Sequence, residues 1–367
     1  MLPSDPPSAQ TDQSFQTGIQ PMPRNLIVGL SGTRLTGPER DVLAQVQPAG
    51  VILFRRNVST PDQVQSLCSD IRQAIGDDRL ILVDEEGGRV QRLRPPVARR
   101  LPAAAVYGQI YRTNPDKARQ AAKLIGRLTA QDLRTLGINT NCAPVADLRV
   151  PGAHDIVGDR SYGETIPGVV DLARAVAEGL MSGGVLPVVK HIPGHGRALC
   201  DSHHALPIVD AERSELAATD FETFKQLRSL PSAMTAHVVY ADVDPEQAAT
   251  VSKTVINDVV RRQIGFDGLL MTDDLSMKAL QGTLQSRTEK ALAAGCDLVL
   301  HCNGKLQEME AVAAACTELD GRAAERFQAA VAVTTVVEEF DLAAAEACLT
   351  EIMSARAHTK DGLDPTA

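Results

Sequence analysis

The chain has 367 residues, with 37 Lys plus Arg against 46 Asp plus Glu and a formal charge of −9. No run of Lys or Arg is longer than two, so neither a nucleic-acid groove nor an anionic membrane surface is an expected partner. No stretch approaches the roughly eighteen apolar residues of a membrane span, and seven cysteines without CxxC spacing read as free thiols of a reducing, cytoplasmic compartment.

The first 24 residues are rich in Pro, Ser and Gln and read as a disordered leader. They have neither the basic start nor the apolar centre of a secretory signal. Strand-like apolar runs then alternate with helical patterns. The predicted strands are 26–30, 50–54, 80–84, 139–145, 185–191, 233–238, 268–273 and 297–302, and helical spacing marks 115–136, 169–181, 211–230 and 253–264. Eight strands alternating with helices predict the α/β class and a single (β/α)8 TIM-like barrel rather than an open sheet. Residues 304–354 read as helices that close and cover that barrel, making 25–354 the catalytic domain, and 355–367 as a frayed tail.

Polar groups gather where the predicted strands end: Asp84-Glu85-Glu86, Asn139 and Asn141, Asp147, Lys190-His191, His237, Asp273-Asp274, and His301 with Asn303. A single strand-end Asp often caps the next helix. Repeated around a barrel, such ends converge on one mouth, where catalytic groups sit.

Two stretches carry the chemistry. The first, KHIPGHGRALCDSHHALP at 190–207, holds four of the eight histidines. Pro193, Gly194 and Gly196 stop regular structure there and make the loop an expected mover. Its Asp201-Ser202-His203 pairs a carboxylate with an imidazole, suited to proton transfer. A metal site fits poorly, because no H-E-x-x-H frame is present and Pro193-Gly194 interrupts the helix it needs. The second stretch, GLLMTDDLSM at 268–277, sets Asp273 and Asp274 at a strand end, one to face the mouth and one to brace it. A carboxylate in that place can attack an anomeric carbon or activate water. In LVDEEGGRVQRLR, at 82–94, Asp84 can accept from vicinal hydroxyls and the Gly pair can let backbone approach a ligand. Arg160 and Lys190 add fixed positive donors.

The pieces D-x-E-G-G-R-V-x-R, G-D-R-S-Y-G, K-H-x-P-G-H-G-x(4)-D-S-H-x-x-L-P and D-D-L-S-M together resemble the glycoside hydrolase family 3 β-N-acetylhexosaminidases. The likeness is to the single-domain kind of bacterial cell-wall recycling and runs over about 25–340. It implies Asp273 as catalytic nucleophile, His203 as acid/base and Asp201 as the carboxylate assisting it. Asp84, Arg92, Arg160, Lys190 and His191 match positions that hold the terminal sugar. The implied substrate is a small carbohydrate, an N-acetylglucosaminyl muropeptide, handled by a cytoplasmic monomer or weak homo-oligomer with no metal and no organic cofactor. Glu85 departs from the usual Gln and adds a negative charge beside Asp84; Ile192 and Thr272 replace the usual Phe and Ser. With no Trp in the chain, sugar recognition is expected to rest mainly on hydrogen bonds. The alternatives are a phosphorylase using the same intermediate, a broader β-glycosidase, an inactive sugar-binding barrel, and metal-dependent hydrolysis.

Overall fold

Eight aliphatic runs supply the barrel. They form β1 (Arg24–Gly29), β2 (Pro48–Leu53), β3 (Leu80–Val83), β4 (Thr140–Asn141), β5 (Leu186–Pro187), β6 (Val189–Ile192), β7 (Ser232–Thr235), β8 (Leu269–Asp274) and β9 (Leu298–His301). The structure, a computed structural model, describes residues 22–152, 155–200 and 206–360. The order in the sheet is β5-β4-β3-β2-β1-β9-β8-β7-β6, parallel throughout. Only Val188 separates β5 from β6, so both edges of the sheet belong to one run of chain, and a bridge from Val145 to Lys190 stitches the far side. The sheet is a nearly closed barrel, as the strand count predicts.

Period-two alternation explains why both faces of these strands are apolar. Leu80 and Leu82, Leu186 and Val188, Leu269 and Met271, and Leu298 and Leu300 point inward and form one core. Their neighbours Ile81, Val83 and Val299 point outward against the helices. Leu319 and Phe327 join the inner core, with Phe327 on the helix Gly321–Val333, so C-terminal chain packs against the inside of the barrel. Among the described residues no helix is long and apolar enough to cross a membrane.

Three boundaries differ from the sequence reading. The helix expected over 211–230 is two, Arg213–Ala218 and Asp220–Gln226. They part at Thr219 because Arg197 draws that residue's hydroxyl and the buried Asp220 carboxylate (2.6 Å) toward the His-rich loop. The tail expected from 355 is helical as far as Lys360, in Leu342–Lys360, whose Ala, Leu and Glu content favours continuation. The leader falls on residues 1–21, outside those described, and Arg24, its last expected residue, already belongs to β1.

Candidate active site

The strand ends surround a cavity of about 430 Å³ lined by Asp84, Glu86, Arg92, Arg160, Lys190, His191, His195 and Asp273, among others. Six of the eight expected site residues are therefore at one mouth. The other two, Asp201 and His203, lie outside the described residues.

Lys190, on β6, is the hub of an ion network. Its ammonium donates to Asp84 Oδ1 at 2.9 Å and lies 2.6 Å from Glu86 Oε1. Arg92 reaches Asp84 Oδ2 at 2.9 Å, and Arg160 grips Glu86 with two bonds of 2.7 and 2.8 Å. Burial opposes ionisation of both acids, yet the cations prevail. Lys190 and Arg92 hold Asp84 well below the usual carboxylate range, and Arg160 and Lys190 hold Glu86 at about 2. Glu86 therefore contributes stability above its ordinary value of 4.5 and loses it as pH falls toward about 2. Burial works against the Lys190 charge too, but the two carboxylates raise its pKa. Polar groups fixed in this way present oriented acceptors and donors to a polar ligand in the cavity. Lys190→Met removes the cation between two buried carboxylates. The expected loss is about 3–5 kcal/mol of stability in urea unfolding, with a raised KM; unchanged stability would show that other groups neutralise them.

His191 is oriented from behind by Asp147, a fully buried residue in the segment after β4. Asp147 Oδ2 lies 2.7 Å from His191 Nδ1, while Oδ1 accepts the backbone N–H of His191 (3.2 Å) and of His195 (2.7 Å). Burial would raise this carboxyl, but His191, then His195, hold it at about 2. One anion thus seats the ring and starts the His-rich loop. Burial, with His191 nearby, lowers His195 to about 4, so its ring is neutral at working pH. The start of the loop differs from the expected hinge. A Cβ on Gly196 would lie 1.8 Å from the Leu148 carbonyl oxygen, and the Tyr240 hydroxyl donates to the Gly194 carbonyl. Close packing, rather than freedom to move, accounts for glycine at 196.

At the end of β8 both adjacent acids line the cavity, where one facing the mouth and one bracing it was expected, and they differ in what holds them. Asp274 braces: its Oδ1 accepts from the N–H of Ser276 (2.9 Å) and Cys302 (3.2 Å), and its Oδ2 from the Ser276 hydroxyl (2.5 Å). Asp273 lines the cavity and accepts the Asp274 N–H at 2.8 Å. Burial disfavours its charge, but His237, His191, the Asp274 amide and Lys190 together hold its pKa below the ordinary value. The carboxylate is ionised and able to act as a nucleophile.

The model of the glycosyl hydrolase family 3 N-terminal domain matches residues 25–336. The chain belongs to glycosyl hydrolase family 3. A relative from Alkalilimnicola ehrlichii named Beta-hexosaminidase is 41% identical over 282 residues, covering 76% of this chain and 80% of the relative. Native NagZ from Neisseria gonorrhoeae superposes with a TM-score of 0.81 at 34% identity, over 90% of this chain and 98% of that one. A family 3 β-N-acetylglucosaminidase from Paenibacillus sp. str. FPU-7 gives 0.80 at 29% identity, over 89% of this chain and 66% of that one. The protein is a glycoside hydrolase of the β-hexosaminidase kind, as the resemblance implied.

Within this family 3 barrel, several strand-end polar groups are structural. Asn139 and Asn141 were expected at the mouth, but their amides substitute for ladder bonds with β3 and the chain after it. Asn139 pairs with Ile81 N–H (2.8 Å) and the Arg79 carbonyl (3.0 Å), and Asn141 with both backbone groups of Glu85 (3.0 and 3.1 Å). Gly87 and Gly88 take left-handed φ values of 98° and 57° to turn an antiparallel hairpin, Glu85–Gly87 with Val90–Gln91. A Cβ on Gly87 would lie 2.2 Å from the Pro102 carbonyl oxygen, so the pair meets protein rather than ligand.

Glu85 does not place its charge in the mouth. Its Oε2 accepts from the N–H groups of Arg92 (3.0 Å) and Leu93 (3.1 Å), and Oε1 has no hydrogen-bond partner among the described residues. Burial pushes the carboxyl up to about 7, against the pull of those amides. The folded state therefore binds the proton more tightly than the unfolded chain, so stability is greatest below pH 4.5 and falls as pH rises through about 7. Glu85→Gln should remove that slope. The expected gain over the parent is about 3 kcal/mol at pH 8 and near zero at pH 4.5, from paired urea melts; a gain independent of pH would contradict it.

Glu86 and Asp147 were visible only as strand-end acids. Their partners are 74 residues away, Arg160, and 44 residues away, His191, so spacing in the sequence could not pair them.

Proposed function

We propose that the protein is a retaining exo-β-N-acetylglucosaminidase that releases terminal N-acetylglucosamine from peptidoglycan-derived muropeptides in the cytoplasm, with 25–354 as its catalytic unit. The observation that carries the reading is the braced, ionised Asp273 sharing one cavity with the Asp84–Lys190–Glu86–Arg160 network. Asp84, Arg92, Arg160, Lys190 and His191 hold the terminal sugar. Asp273 attacks the anomeric carbon while His203, oriented by Asp201, protonates the departing oxygen. A glycosyl ester on Asp273 results, and His203 then takes a proton from the water that cleaves it. The sugar named for the Paenibacillus relative supports N-acetylglucosamine as the glycon.

The test is a panel of nitrophenyl glycosides with one leaving group and three sugars, N-acetylglucosamine, glucose and xylose, assayed with and without phosphate. The N-acetylglucosaminide should be cleaved fastest and yield free sugar in both buffers. Preference for glucose would overturn the substrate, and a sugar 1-phosphate would overturn hydrolysis.

A further inference from the structure

Behind the cavity a chain of buried hydrogen bonds ends on Asp274, the lining residue next to Asp273. His237 lies two residues beyond β7, and its ring, like Thr235 and Thr250, has no exposure. Its Nε2 is 3.0 Å from the Asp274 carbonyl oxygen and its Nδ1 is 2.7 Å from Thr250 Oγ1. A carbonyl only accepts, so Nε2 carries a proton. Burial lowers the pKa of this imidazole, which favours the neutral ring at neutral pH and leaves its charge to the acid range where Asp273 takes up a proton. Nδ1 is then an acceptor, and the Thr250 hydroxyl is its donor. Thr235 Oγ1, 2.7 Å from Thr250 Oγ1, completes the sequence by donating to Thr250. The competing direction, Thr250 to the Ala236 carbonyl, is longer at 3.1 Å.

Resting on the reading of Asp273 as nucleophile, we propose that His237 is a positioning residue for the reaction, held by the Asp274 carbonyl on Nε2 and by the Thr250 hydroxyl on Nδ1. The bond to the Asp274 carbonyl anchors the backbone of the residue whose N–H donates to Asp273 Oδ1. The Asp274 carboxylate is anchored separately, by Ser276 and Cys302. With both parts fixed, the Asp273 carboxylate has one orientation toward the anomeric carbon. In the opposite tautomer the Nε2 lone pair would face the Asp274 carbonyl oxygen, and the two would repel. By donating to Nδ1, the Thr250 hydroxyl favours the tautomer that the Asp274 carbonyl requires. None of the three buried residues lines the sugar cavity, so the effect belongs to kcat and leaves sugar affinity alone.

The test uses Thr250→Val, His237→Leu and His237→Gln in the full chain, with N-acetylglucosamine binding stoichiometry fixing the competent fraction. Because displacement of a reacting group by about 1 Å can cost on the order of 10²-fold, kcat per competent site should fall roughly 10²-fold in His237→Leu and roughly 10-fold in the nearly isosteric Thr250→Val. KM should hardly move. His237→Gln, whose amide can donate to the Asp274 carbonyl, should recover most of the loss. Wild-type kcat per site in Thr250→Val would overturn the proposal, and that variant decides alone if His237→Leu does not fold. A fall in sugar affinity with kcat intact would also overturn it. Asp273→Ala separates the two readings: an active Asp273→Ala enzyme overturns the assignment of the nucleophile, whereas an inactive one beside a fully active Thr250→Val overturns only the role of His237.

Discussion

Asp273→Ala lowers kcat by on the order of 10⁴–10⁶-fold, the scale seen when a nucleophile is deleted from a covalent mechanism, and does so for good and poor leaving groups alike. In the proposed mechanism both steps need the carboxylate: the first forms a bond to it and the second breaks that bond. Among the described residues, no other acid nearby is free to replace it. Asp274, the adjacent acid, is committed to Ser276 and Cys302, and Asp84 and Glu86 are neutralised by Lys190, Arg92 and Arg160. Sugar binding should survive, because those contacts remain. Steady-state kinetics on a dinitrophenyl N-acetylglucosaminide and on a disaccharide, beside calorimetry with N-acetylglucosamine, check this result. Retained turnover with either substrate would remove Asp273 from the mechanism.

His203→Ala behaves differently, because it removes proton transfer and leaves bond formation in place. Its effect on a natural disaccharide is a loss of about 10²–10⁴-fold. A dinitrophenyl glycoside releases a phenolate that departs without a proton, so the first step should stay near the parent rate. The second step then stalls for want of a base, and azide, which needs none, should restore turnover. Asp201→Ala keeps the ring but removes its orientation and electrostatic support, so it should show the same pattern in milder form. Pre-steady-state release of dinitrophenolate separates the two steps. Equal losses on both substrates would show that His203 does something other than move a proton.

The barrel was legible because period-two apolar runs between helical patterns recur eight times, and all eight predicted strands overlap observed ones. Asp84, Lys190 and Asp273 were legible because each ends such a run with a charge. The partnerships were not. Whether a strand-end acid orients a side chain at the mouth, as Asp147 does for His191, or supports backbone, as Asp274 does, depends on contacts with distant residues. Asn139 and Asn141 were misread for the same reason: an amide beside a neighbouring strand serves as readily as a ladder bond as it does as a ligand contact. Glycine was ambiguous in a second way. Gly196 reads as a hinge in the sequence, and only the approach of the Leu148 carbonyl shows that crowding excludes a side chain there.

The most direct measurement of the central claim is mass spectrometry of His203→Ala mixed with the dinitrophenyl N-acetylglucosaminide and quenched in acid. If Asp273 is the nucleophile of a retaining enzyme, the peptide carrying it gains the mass of one sugar residue, and azide removes that adduct while restoring turnover. If the peptide is never modified and azide has no effect, the covalent mechanism is wrong, and attack by the substrate's own acetamido group takes its place.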